Sequence, residues 1–152
     1  MRSRAGAVRH VPQRGQYDDA DRLFEQAIAT PQYRELSRSL MAQGVCNARA
    51  GRMVPAEQKL LRAYEVDPTN PTTAYNLADV LYRRNELERA RFYVRRINDR
   101  DEISNAQTLW LAARIENKAG NRSATEIFGR QLRARFPQSP EAQAYESGRF
   151  NE

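Results

Sequence analysis

The chain repeats itself every 34 residues, and that period excludes most folds open to a sequence of 152 residues. Ala56, Ala90 and Ala124 stand 34 residues apart, and four positions after each comes a large apolar side chain: Leu60, Val94 and Phe128. Helix-breaking residues fall between the copies. Gly51, Asn85 and Gly120 lie four or five residues before the three alanines, while Pro68 with Pro71, and Pro137 with Pro140, follow two of them. A unit of this length cannot bury its apolar face alone and stacks on copies of itself. Each copy reads as helix, turn, helix, so the expected architecture is all-α and built by stacking around a continuous core.

Local signals place the helices. Residues 1–14 lack periodicity and carry Pro12, which predicts a disordered basic tail or a remnant. Gly15, Tyr17, Ala20, Phe24 and Ala27 match the turn and second helix of a unit, a half-repeat over 15–30 with its helix near Asp18 to Ala29. Thr30-Pro31 and Asn70-Pro71 each supply an N-cap and a first-turn proline. They open units of about 31–70 and 71–104, with second helices expected from about Pro55 and Glu86; a third unit follows at 105–138, with Ser104 as the expected cap of its first helix and Asn121 of its second. Ser139-Pro140-Glu141 opens a short capping helix over 139–148.

The pattern resembles the tetratricopeptide repeat. Leu77, Ala78, Leu81, Leu87, Ala90 and Val94 occupy its small and large apolar slots, with Pro68 closing the preceding copy. The aromatic slot early in the first helix holds Leu40, Ala74 or Thr108 instead, and Glu102 stands where a closing proline is usual. The resemblance implies a tetratricopeptide repeat solenoid of about three and a half units plus the capping helix.

Composition narrows the function. The net charge of +6 comes largely from Arg2, Arg4, Arg9 and Arg14, and without the first 14 residues the balance is +2. Arg83, Arg84, Arg89, Arg91, Arg95 and Arg96 crowd one hairpin, but Glu86 and Glu88 are interspersed, which favours a solvated face over a nucleic-acid surface. The lone Cys46 excludes an internal disulfide, and its small neighbours Gly44 and Ala48 predict a buried, structural thiol. The one histidine, His10, lies in the tail, and no phosphate loop, metal-ligand spacing or nucleophile motif is present. No enzyme activity and no cofactor are expected. Carboxylates such as Asp18/Asp19 and Asp101/Glu102 sit at a helix start or in a linker.

Binding has the stronger case, because paired helices generate a concave surface lined by their first helices. In the unit from Pro71 the packing stripe takes Ala74, Leu77, Ala78 and Leu81, leaving Tyr75, Asp79 and Tyr82 beside it. The matching positions are Met41 and Val45 before it, and Leu109 and Ala113 after it. The expected partner-binding groove is thus Met41, Val45, Tyr75, Asp79, Tyr82 and Leu109, apolar and aromatic and without the lysines that clamp a terminal carboxylate in some tetratricopeptide domains. An extended or helical apolar segment is the expected ligand.

The stretches VDPTNPTTAYNLADVLYRR (66–84), RARFYVRR (89–96), LWLAARIENKAGN (109–121) and RQLRARFPQSPEAQAYESGRFNE (130–152), with the run from Gly44 to Cys46, resemble the type IV pilus biogenesis and stability proteins, the PilF/PilW-type pilotins of the pilus secretin. The resemblance implies a binding protein on the periplasmic face of the bacterial outer membrane, with secretin subunits as its partner. The family begins with a signal peptide and a lipid-modified cysteine. Residues 1–14 carry no apolar signal segment, and Gln43 stands where a lipobox before Cys46 would need leucine. The alternative is a cytosolic tetratricopeptide adaptor or chaperone-like scaffold for an apolar peptide. An RNA-binding helical repeat is a third reading.

Overall fold

The computed structural model describes residues 30–151; the basic tail and the half-repeat helix expected near 18–29 lie outside them. Within this span the chain is helical: α1 (Pro31–Arg49), α2 (Met53–Val66), α3 (Pro71–Arg83), α4 (Leu87–Asn98), α5 (Ala106–Lys118), α6 (Arg122–Arg135) and α7 (Pro140–Glu146). Each helix packs against the next in sequence, first helices also touch across α1–α3, α3–α5 and α5–α7, and α7 rests on α6 as well. This is a tetratricopeptide-type helical solenoid.

The caps explain where the helices begin. Thr30, Asn70 and Ser139 each accept a backbone N–H, from Tyr33, Thr72 and Ala142, ahead of a proline that needs no such partner. At α5 the cap is Asn105 and not Ser104: Asn105 Oδ1 accepts from Thr108 N at 2.9 Å, and Thr108 Oγ1 accepts from Asn105 N at 2.8 Å. Ser104 is instead buried, its hydroxyl accepting from Arg135 Nη1 at 2.7 Å. Asn121 precedes α6 but makes no capping bond, because its amide donates to Glu116 Oε1 at 2.7 Å. The turn between α3 and α4 places Asn85 at φ 65°, a left-handed conformation in which asparagine is tolerated better than most residues with a Cβ.

Two apolar clusters share the interior. The larger joins α2 to α5 through Leu60, Leu77, Leu81, Val94, Leu111 and Ile115, and the second joins α5, α6 and α7 through Leu109, Trp110, Leu132 and Ala142. Phe128 packs against both. Full burial of one such leucine contributes about 1.5–3 kcal/mol relative to exposure. Small residues let the helices approach: a Cβ built on Gly44 would lie 2.6 Å from Leu60 Cγ. Cys46, contrary to the expectation of a buried thiol, is exposed. Its small neighbours misled: the buried stripe of α1 runs through Ser37, Leu40 and Gly44, and two residues beyond Gly44 is about 200° round the helix, on the far side.

Ion pairs tie the repeats together. Glu57 on α2 receives Arg84 and Arg89 from either side of the α3–α4 turn. Burial alone would raise its carboxyl, but the two guanidiniums outweigh that and hold it below the usual carboxylate range. Arg91 on α4 reaches Glu116 on α5.

Candidate functional site

The first helices α1, α3 and α5 lie side by side, and the side chains they present together form the candidate site. On α1, Met41 is half-buried against the larger cluster, its Sδ accepting from Thr73 Oγ1 at 3.2 Å. Val45 is half-buried and, with Ala48, Arg49, Leu60, Asn76, Asp79, Val80 and Arg83, lines a hollow of about 130 Å³ between α1 and α3. Asp79 pairs with Arg83 at 3.1 Å. Burial pushes the Asp79 carboxyl upward more than Arg83 and Arg114 pull it down. Tyr75, half-buried beside it, has its phenol raised by burial and then by the Asp79 charge.

Two of the expected groove residues are buried. Leu109 is fully enclosed in the second cluster, together with Ala113, because α6 contributes Leu132 and α7 contributes Ala142 to the same packing. Tyr82 is 7% exposed: Arg114 Cζ and Lys118 Nζ each lie 4.9 Å from its ring centroid. Cations attracted to a ring face cover it. Arg114 and Lys118 thus add positive charge beside the half-buried Met41, Val45 and Tyr75.

Arg114 and Lys118 are the residues that sequence reasoning missed. They continue the α5 stripe that starts at Trp110, at i+4 and i+8, one position away from the Leu109/Ala113 stripe. Reading α5 with Trp110 in register would have found them, and would have corrected the view that this face has no lysine. Arg114 Nε also donates to the Phe150 carbonyl at 3.0 Å, and the Phe150 ring stacks on Trp110 with centroids 5.2 Å apart. The segment after α7 thus lies across α5.

Much of the arginine-rich hairpin is paired within the chain. Arg83 pairs with Asp79, Arg84 and Arg89 with Glu57, and Arg91 with Glu88 and Glu116. Four of the six guanidiniums thereby have a carboxylate partner within the chain. Among the described residues no three His, Cys, Asp or Glu side chains converge as metal ligands, and no helix is long and apolar enough to cross a membrane. A larger recess of about 480 Å³ near α6 and α7 is lined by Arg122, Glu126, Arg133, Tyr145, Glu146 and Phe150, but Arg133 there is committed to Glu146 at 2.6 Å.

No protein-family model matches the chain, and no curated protein matches it. Solved structures do. PilW, a widely conserved type IV pilus biogenesis factor, is similar with a TM-score of 0.68 and 30% identity, over 80% of this chain and 55% of its own. PilF of Pseudomonas aeruginosa is similar with a TM-score of 0.65 and 24% identity, over 88% of this chain and 60% of its own. The chain thus spans little more than half the length of either protein.

Proposed function

We propose that this chain is a non-catalytic protein-interaction module that binds secretin subunits of the type IV pilus and supports their localisation and assembly at the periplasmic face of the outer membrane. The observation that carries the reading is the likeness to PilW, a type IV pilus biogenesis factor, over four-fifths of the chain. The inner face supports it: Met41, Val45, Tyr75 and Asp79 contribute the half-buried part, while Arg114 and Lys118 take the place of Tyr82 and Leu109 as the accessible part. A groove of mixed character suits a segment docked through side-chain pockets.

The test is co-purification of the tagged chain with type IV pilus secretin subunits from outer-membrane extracts. Secretin enriched with the wild-type chain and reduced by Val45→Asp supports the assignment. Absence of secretin, with a cytosolic protein recovered in its place, favours the adaptor reading. Tyr82→Ala is a poor probe, since emptying a site that is 7% exposed costs packing of about 3–5 kcal/mol before it touches any partner.

A further inference from the structure

We propose that the segment 18–29 folds back along the first turns of α1 as an antiparallel helix and docks on the face that holds Tyr33 and Leu36.

That face belongs to an overhang. Leu40, Ala74 and Thr108 are the same position in the three units; α3 and α5 begin three and two residues before it, whereas α1 begins nine before it, at Pro31. α1 is accordingly 19 residues long, against 13 for each of the other two. The added turns carry Tyr33, 39% exposed, and Leu36, 41% exposed. Val54, Phe92 and Ile127, the other large apolar side chains exposed among the described residues, stand one to a helix. Only Tyr33 and Leu36 lie one turn apart on the same helix, and their stripe runs on to the buried Leu40.

Beyond Leu40 the stripe changes character. Gln43 and Asn47 come next on it, where the 34-residue period sets Leu77 and Leu81 in α3 and Leu111 and Ile115 in α5, all four buried. This side of α1 is therefore apolar up to Leu40 and polar from Gln43. An occupant that stops near Ala42 fits that boundary.

The chain just before α1 has the length and the chemistry. Residues 18–29 carry Ala20, Leu23, Phe24 and Ala27 at helical spacing and end one residue before the Thr30 cap. A fold-back centred on Thr30 sets Ala27 against Tyr33, Phe24 against Leu36 and Ala20 against Leu40, and it brings Asp18 level with Ala42. Charge follows the same register: Glu25 and Asp21, four residues apart, come beside Arg34 and Arg38, also four apart. Antiparallel helices are joined by loops of about two to five residues, so residues 28–30 are enough.

A second copy is the poorer occupant. A stable interface buries about 1,200–2,000 Å² in total, far more than two partly exposed side chains contribute. A tethered segment needs no such area, because its connection holds it at high effective concentration.

The experiment is amide hydrogen exchange, read by mass spectrometry on the full chain. Phe24→Asp and Leu36→Asp are each expected to speed exchange in residues 20–28 and 31–36 at least roughly tenfold, while α3 and α5 keep their wild-type rates. Glu25→Arg is expected to speed the same two spans about twofold, and Arg34→Glu placed in that variant to reverse the effect. The charge exchange reads the same contact without setting an acid into the apolar stripe of α1. Unchanged exchange in both aspartate variants overturns the docking, and failure of Arg34→Glu to restore the rates overturns the register. Protection of residues 31–36 that rises with chain concentration assigns the face to a second copy, and protection that needs added outer-membrane extract assigns it to another protein; either result overturns the proposal.

Discussion

Arg91 holds Glu116 through two parallel hydrogen bonds, Nε to Oε2 at 2.7 Å and Nη2 to Oε1 at 2.8 Å, and so clamps the second helix of one repeat to the first helix of the next. Glu116 is 5% exposed, and Asn121 supplies a further donor to Oε1. Burial would raise this carboxyl, yet the hydrogen bonds from Arg91 and Asn121 and the nearby guanidinium charges bring it below its usual range. A depressed folded-state pKa contributes stability that is present above the unfolded value and lost as pH falls through the folded one.

Glu116→Gln is therefore expected to destabilise the chain by about 2 kcal/mol at neutral pH, the scale of hydrogen bonds to a charged group. The deficit relative to wild type should begin to shrink as pH drops below the unfolded-state value of about 4.3, where the unfolded chain takes up the proton first, and go on shrinking until pH passes the lower folded-state value. Thermal melts of both proteins from pH 7 to pH 3 measure it. A deficit that stays constant across that range would show that the charge of Glu116 is not what binds the repeats.

Tyr145 lies flat across Gly129: a Cβ there would sit 2.0 to 2.4 Å from three atoms of the ring. Gly129→Ala must therefore displace the ring, and with it the seat of α7 on α6. Overpacking of this kind costs about 1–3 kcal/mol. Because α7 is short and terminal among the described elements, the loss should be local, visible as faster amide exchange in Pro140–Glu146 with little change in α2 and α3. Uniform exchange across all helices would mean that α7 and the centre of the solenoid unfold as one unit.

The fold was legible because its determinants are local. Asn70-Pro71 and Ser139-Pro140 announce helix starts through bonds spanning two or three residues, and the period brings Ala56 and Ala90 to fully buried positions. The site was legible only in part. Arg91 and Glu116 are 25 residues apart, and nothing near either one signals the other. Leu109 is buried because Leu132 of α6 and Ala142 of α7 pack onto it, and neither stands near it in the sequence. The cap at Asn105 in place of Ser104 is a one-residue choice settled by Arg135, 31 residues away.

Asn85 carries the tight turn between α3 and α4 at φ 65°, where a β-branched side chain is strained. Asn85→Val is expected to cost about 1–2 kcal/mol, and Asn85→Gly to change stability by a few tenths at most, since glycine adopts this conformation freely but loses more entropy on folding. Urea unfolding of the two variants gives the comparison. Equal midpoints would mean that the turn relaxes to another conformation on substitution.

Asp79 has the opposite sign from Glu116. Burial raises its carboxyl above the ordinary value, with Arg83 and Arg114 offsetting only part of that rise. A raised folded-state pKa means the folded chain prefers the neutral acid, so the ionised form is a cost above the folded pKa that disappears once pH falls below the unfolded value of about 3.9. Asp79→Asn, similar in size and uncharged, is expected to leave stability unchanged or raise it by up to about 1 kcal/mol at pH 7, and to match wild type near pH 3. Loss of the Asp79–Arg83 pair would not reverse this, because Arg83 is half in solvent and an exposed pair contributes little. Melts at both pH values check it: a destabilised Asp79→Asn at pH 7 would establish the ion pair as a net contributor.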